Sequence, residues 1–169
     1  MAIVHPSLYP GAAYEVGRTA TGLRGRLLLS DGETPLRWGR VTATLPGGTV
    51  VVGRAHGDDR GEFILLVTAD ATGIGALPAS FELELRVYGL LSPVTPSDDA
   101  LPSKDPLWDL PLEPIPVSPA VDEVSSGELV PSAYVELSMS DGINPAETPR
   151  TVVFVPGKLR TDEPSFIQS

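Results

Sequence analysis

From Gly22 to Val67 the chain reads GLRGRLLLSDGETPLRWGRVTATLPGGTVVVGRAHGDDRGEFILLV. Short apolar runs are cut at regular intervals by Asp31-Gly32, by Pro46-Gly47-Gly48 and by Asp58-Asp59-Arg60-Gly61. Gly, Pro and Asp at that spacing make sharp turns, so the rhythm specifies a β-meander. Arg37 to Leu45 shows the period most clearly within it. Trp38, Arg40, Thr42 and Thr44 fall on one side and Val41, Ala43 and Leu45 on the other, as a strand with one buried face requires.

Outward from this stretch the same signal recurs. Phe81–Tyr88 alternates cleanly, with Phe81, Leu83, Leu85 and Val87 inward and Glu82, Glu84 and Arg86 outward. Taken together, Leu23–Ser30, Arg37–Leu45, Thr49–Ala55, Glu62–Thr68, Phe81–Tyr88, Ser132–Met139 and Arg150–Val155 make seven strands. Seven short alternating strands predict an all-β fold, a seven-stranded two-sheet β-sandwich. The chain has 17 Gly and 18 Pro among 169 residues, a usage that favours short strands over long helices. One core is expected, in a single domain over residues 21–157.

Three segments depart from the sandwich. Residues 1–20 hold Leu8, Tyr9, Tyr14 and Val16 without a period, and Pro6, Pro10 and Gly11 forbid a useful helix, which predicts an extended arm. Residues 91–131 form a proline-rich excursion. Its polar part, Ser97-Asp98-Asp99-Ala100, suits a linker, whereas Leu107, Trp108, Leu110, Leu112 and Ile115 should pack on protein, their own or a partner's. Residues 158–169 read as a polar C-terminal tail in which Phe166 and Ile167 have an option to dock. An internal echo joins Ser30-Asp31-Gly32 with Ser140-Asp141-Gly142, each after one strand and before the next, and shared turn chemistry accounts for it.

The meander resembles the carboxypeptidase regulatory-like, transthyretin-type sandwich family over residues 22–68. The features that carry the likeness are Leu23-Arg24-Gly25-Arg26-Leu27, Asp31-Gly32, Pro35-Leu36, Gly39-Arg40-Val41 and Asp59-Arg60-Gly61-Glu62-Phe63. It implies an accessory module docked beside enzymes, transporters or surface proteins and not itself catalytic. The arm entered through Tyr9-Pro10-Gly11 and the long loop around a compact β-domain also look like components of phage-tail-like contractile injection particles.

Composition narrows the chemistry. A net charge of −10 argues against nucleic acid, which needs clustered Lys and Arg. The charge is uneven: up to Arg60 seven Arg oppose five acids, and all other acids follow. An acidic second half suits solubility or a basic neighbouring subunit. Cys is absent, which removes disulfides and thiol chemistry and leans towards a reducing compartment. The N-terminus lacks a basic n-region, and no apolar run is long enough for a membrane helix, so a cytoplasmic protein, or one carried on a released particle, is expected.

Catalytic raw material is scarce. His5 and His56 are the histidines, and His56 with Asp58 or Asp59 offers two parts of a triad without a G-x-S-x-G elbow. No metal or cofactor is assigned. Asp58-Asp59 and Asp98-Asp99 are oxygen-rich loop positions that calcium could use, but neither matches an EF-hand spacing, and adjacent carboxylates commonly just face solvent. Two functional classes therefore compete. The first is a non-enzymatic interaction module contacting other protein subunits through Tyr9, Tyr14, Trp38, Leu107, Trp108, Leu110 and Ile115, with arm exchange as a route to oligomers. The second is a carbohydrate-binding accessory module with Trp38 and Trp108 as stacking platforms.

Overall fold

The computed structural model describes residues 9–67, 78–92, 107–111, 130–161 and 165–169. Ile115, His5, Asp98-Asp99 and most of the excursion lie outside these residues. Ten strands occur in the described part: β1 Thr21–Leu28, β2 Arg40–Thr44, β3 Val51–His56, β4 Glu62–Val67, β5 Phe81–Gly89, β6 Val135–Leu137, β7 Met139–Ser140, β8 Arg150–Phe154, β9 Leu159–Arg160 and β10 Phe166–Gln168.

These strands do not divide into two facing sheets. They form one continuous sheet in the order β6-β5-β2-β3-β4-β1-β10-β7, with β8 beside β5 and β9 beside β1. Its two ends, β6 and β7, are separated only by Ser138, so the sheet curls until it nearly closes into a barrel. Ser169 strengthens the junction, its backbone N–H donating to the Ser138 carbonyl at 3.1 Å. The expected seven-stranded two-sheet sandwich is therefore wrong in its architecture. Alternation fixes which side chains face inward, but the same alternation serves a sandwich and a barrel.

The stretch from β1 to β4 is also more than a meander. β2, β3 and β4 are joined as consecutive hairpins, but β1 pairs with β4 rather than with β2. Spatial order β2-β3-β4-β1 is a Greek key. Between β2 and β3 the register slips after Ala43↔Gly53 to Thr44↔Val51, so Val52 is the extra residue of a bulge, a device that bends a strand around a closing sheet.

The core lies inside the barrel. Leu23, Leu27, Val41, Ala43, Phe63, Leu65, Leu83, Leu85 and Val87 are buried from the early strands, and Leu137, Met139, Val152, Phe154 and Phe166 from the late ones. Gly25 faces Phe63 across the β1–β4 ladder. A Cβ there would sit 2.8 Å from Phe63 Cζ, so the glycine lets the ring lie over β1 and meet Phe166 edge-on at 5.9 Å. Residues expected in a C-terminal tail thus supply β9 and β10. Phe166 is fully buried, and Arg150 Cζ lies 4.9 Å from its ring centroid while the same guanidinium pairs with Asp141 at 2.9 Å.

The echoed Ser-Asp-Gly segments fold alike. Asp31 Oδ1 accepts the N–H groups of Glu33 and Thr34, and Asp141 Oδ1 accepts those of Ile143 and Asn144. Each is followed by a glycine at positive φ, Gly32 at 72° and Gly142 at 81°. The two turns flank β10 at the ends of β1 and β7, which is as far as the echo goes.

Candidate functional site

Immediately before β2, the sequence Arg37-Trp38-Gly39 leaves the strand geometry that alternation predicts. Trp38 has φ 59°, a left-handed conformation costing a bulky residue about 1–2 kcal/mol. Such a backbone persists only when its surroundings over-determine it. Here the Trp38 N–H donates to the Asp58 carbonyl at 3.2 Å, and its own carbonyl accepts from Arg40 Nη1 at 2.9 Å and the Tyr134 hydroxyl at 3.1 Å. Its indole Nε1 donates to Asp109 Oδ1 at 2.6 Å.

Asp109 belongs to the excursion, so this last bond ties the loop to the barrel. Arg37 completes the tie. Its Nε donates to both carboxylate oxygens, at 3.0 and 2.8 Å, its Nη2 to Oδ1 at 2.8 Å, and its Nη1 to the Asp59 carbonyl at 3.1 Å. The Asp109 side chain is only 9% exposed. Charge-assisted, forked bonds of this kind are stronger and more directional than neutral ones. The guanidinium carbon also lies 5.5 Å from the Trp38 ring centroid and 5.7 Å from that of Trp108. Arg37 and Asp109 are thus a latch set between two indoles.

The latch holds a short turn, closed by the Leu110 N–H donating to the Leu107 carbonyl at 3.0 Å. Trp108 and Asp109 face the barrel, while Leu107 and Leu110 are 55% and 45% exposed. Beside the latch a cavity of about 180 Å³ is lined chiefly by Leu29, Pro35, Leu36, Trp38, Leu90 and Tyr134.

The arm residues lie on the outer face of the Greek key. The Tyr9 ring stacks on His56 of β3 with centroids 3.8 Å apart. The Tyr14 carbonyl accepts from Arg24 Nη2 of β1 at 2.9 Å, while the Tyr14 side chain is 58% exposed. Between β3 and β1, Ile64 of β4 is buried although it pairs with outward-facing Arg24. From Tyr9 onward the arm therefore lies on its own sheet. Burial, and secondly the charge of Arg40, lower the His56 pKa to about 3. The ring is held neutral.

Of the seven contact residues expected from sequence, Trp38, Leu107, Trp108 and Leu110 come together around the latch. Tyr9 joins that group indirectly: its partner His56 is in register with Arg40, which binds the Trp38 carbonyl. Tyr14 lies apart at β1, and Ile115 is outside the described residues. Arg37, Asp109 and Tyr134 were not singled out. The readable signal was Asp109, a lone carboxylate inside the apolar run Leu107-Trp108-Asp109-Leu110, which burial would oblige to find a cation.

Acid–base and metal chemistry find little here. His56 Nε2 is buried and has no hydrogen-bond partner among the described residues. The Asp58 carboxylate is occupied by its own turn, accepting the N–H groups of Arg60 and Glu62 and the Arg60 side chain. Among the described residues no three His, Cys, Asp or Glu side chains gather as metal ligands. No helix of the described residues is long and apolar enough to cross a membrane. Compared with family models, with curated proteins and with solved structures, the chain matches none.

Proposed function

We propose that this chain is a non-enzymatic interaction module, docked as a subunit in a larger protein assembly, with the latched turn at Leu107–Leu110 as its principal contact. One observation carries the reading. A strained tryptophan, three arginine–carboxylate hydrogen bonds and an indole bond together hold a turn that presents two leucines to solvent. Rigid presentation of apolar side chains lowers the ordering cost of binding. Leu91, 67% exposed, extends the apolar surface at the root of the excursion. The arm and excursion around a compact β-domain support the narrower version, a subunit of a phage-tail-like particle. Stacking on sugar has less support, because Arg37 lies near both indole rings and the Trp38 N–H is already bonded.

The test is capture of the native assembly by the full chain. Leu107→Asp with Leu110→Asp should leave the melting profile unchanged and abolish incorporation. Asp109→Ala should weaken incorporation and shift tryptophan emission to the red, since the only two indoles flank the latch. Full incorporation of the double leucine variant would refute the proposal.

A further inference from the structure

The described arm meets the barrel through contacts that respond differently to acid. The Tyr14 carbonyl accepts from Arg24 Nη2 at 2.9 Å, and a guanidinium keeps its charge at every working pH. Ala12, 5% exposed, is an apolar contact that acid leaves alone. The third contact is the Tyr9 ring on His56, with centroids 3.8 Å apart and planes 20° from parallel. An imidazole changes charge in the physiological range. Between Tyr14 and β1, Glu15, Gly17, Arg18 and Thr19 are all exposed, so the arm has a hinge that moves without disturbing the core.

His56 is flanked by cations. Arg40 of β2 is its cross-strand partner, and Arg54 lies two residues back on the same face of β3. β4 brings the buried, apolar Ile64, and β1 brings Arg24 opposite it. The carboxylates of Asp58 and Glu62 are both engaged by Arg60, at 2.9 and 3.3 Å, and Asp59 lends its carbonyl to Arg37. His56 Nε2 is buried with no acceptor among the described residues. A proton there sets two like charges opposite each other across a ladder and buries one of them unpaired, and both effects are unfavourable. Cation–π attraction to the Tyr9 ring returns part of this. Burial, and secondly Arg40, prevail and hold the pKa at about 3.

We infer that the Tyr9–His56 stack is an acid-operated catch: neutral His56 keeps the arm closed on its own barrel, and protonation of His56 opens it. Once the arm lifts, the imidazolium reaches water and titrates at its ordinary value of 6.5. The proton is then bound by the open form in preference to the closed one, so opening grows as pH falls from 6.5 towards 3. From pH 7.5 to pH 5 the open-to-closed ratio rises about thirtyfold. The opening is local, because the barrel core contributes nothing to the catch. It decides whether the arm stays on its own sheet or is offered to a neighbouring subunit. That consequence rests on the interaction-module reading; the catch itself does not.

The chain has no Cys, so one introduced thiol reports one position. In Ala12→Cys the thiol is covered while the arm is closed. Its rate of reaction with dithiodipyridine, divided by that of an unfolded peptide at the same pH, measures the open fraction. This fraction should rise about thirtyfold from pH 7.5 to pH 5 and stay level when His56→Phe is added. His56→Leu, which also removes the titration, replaces His56→Phe if that variant does not fold. Ala55→Cys, 1% exposed in the barrel core, reacts only through global unfolding and should be slower at both pH values. A level open fraction in Ala12→Cys would overturn the inference, and so would an equal rise with the non-titrating variants. Reaction at Ala12→Cys no faster than at Ala55→Cys would overturn it too, since the arm would then open only with the whole barrel. Leu107→Asp with Leu110→Asp should leave the rise unchanged while abolishing incorporation, which separates failure of the catch from failure of the module reading.

Discussion

His56 shows how one side chain reports on the arm above it. The imidazole is neutral because burial under Tyr9, and then Arg40 in the next strand, oppose its protonation. Its folded pKa lies at about 3, below the ordinary histidine value of 6.5. The unfolded chain therefore binds a proton between those values and the folded chain does not. Stability from this group is complete above pH 6.5 and is lost as pH falls towards 3, by up to about 1.4 kcal/mol per unit. His56→Phe retains a stacking partner for Tyr9 and removes the titration. Urea midpoints of the wild type should drop between pH 6.5 and pH 5, and those of the variant should stay flat; parallel curves would show that His56 is not held neutral. Asp141 acts at lower pH. The Asn144 N–H and side chain, then the Ile143 N–H and Arg150, hold its carboxyl below the usual range, so its contribution persists above the ordinary carboxylate pKa and fades beneath it.

Among the elements, the last strand has the largest effect for its length. β10 is three residues long, yet it pairs with β1 on one side and β7 on the other. Its Phe166 fills the core beside Phe63 under the Arg150 guanidinium. Phe166→Ala should cost about 3–5 kcal/mol, the range for emptying a packed aromatic site. Chemical denaturation measures it, and a loss below about 1 kcal/mol would mean that the barrel does not depend on its last strand. Sequence pattern was a poor guide to this element, because two or three residues are too few to show a period. The longer strands β2 and β5 were legible for the opposite reason. Five and nine residues of clean alternation declare their inner faces, and Val41, Ala43, Leu83, Leu85 and Val87 are buried as expected.

Across the whole molecule, the described parts of the arm (9–20) and of the excursion (107–111) pack on the barrel. The arm reaches its sheet at His56 and Arg24, and the excursion reaches Arg37 and Trp38. Deleting residues 1–18 removes the Tyr9 stack and the buried Ala12. The remaining chain should stay folded but lose about 1–3 kcal/mol, measured as a lower urea midpoint with an unchanged circular dichroism spectrum. An unchanged midpoint would show that the arm contributes no packing.

The sequence by itself determined the all-β class, the turns and the inward face of each long strand, because these follow from neighbours one to four residues apart. Alternation and the Gly, Pro and Asp chemistry of turns are local properties. Only the tertiary structure decided that the sheet nearly closes, that Phe166 is core and that Trp38 is drawn into a left-handed turn. Each of these depends on groups far apart in the chain: Leu27 with Phe166, and Arg37 with Asp109 across 72 residues. Such pairings are selected by burial and charge once the chain is compact, and a local pattern does not encode them.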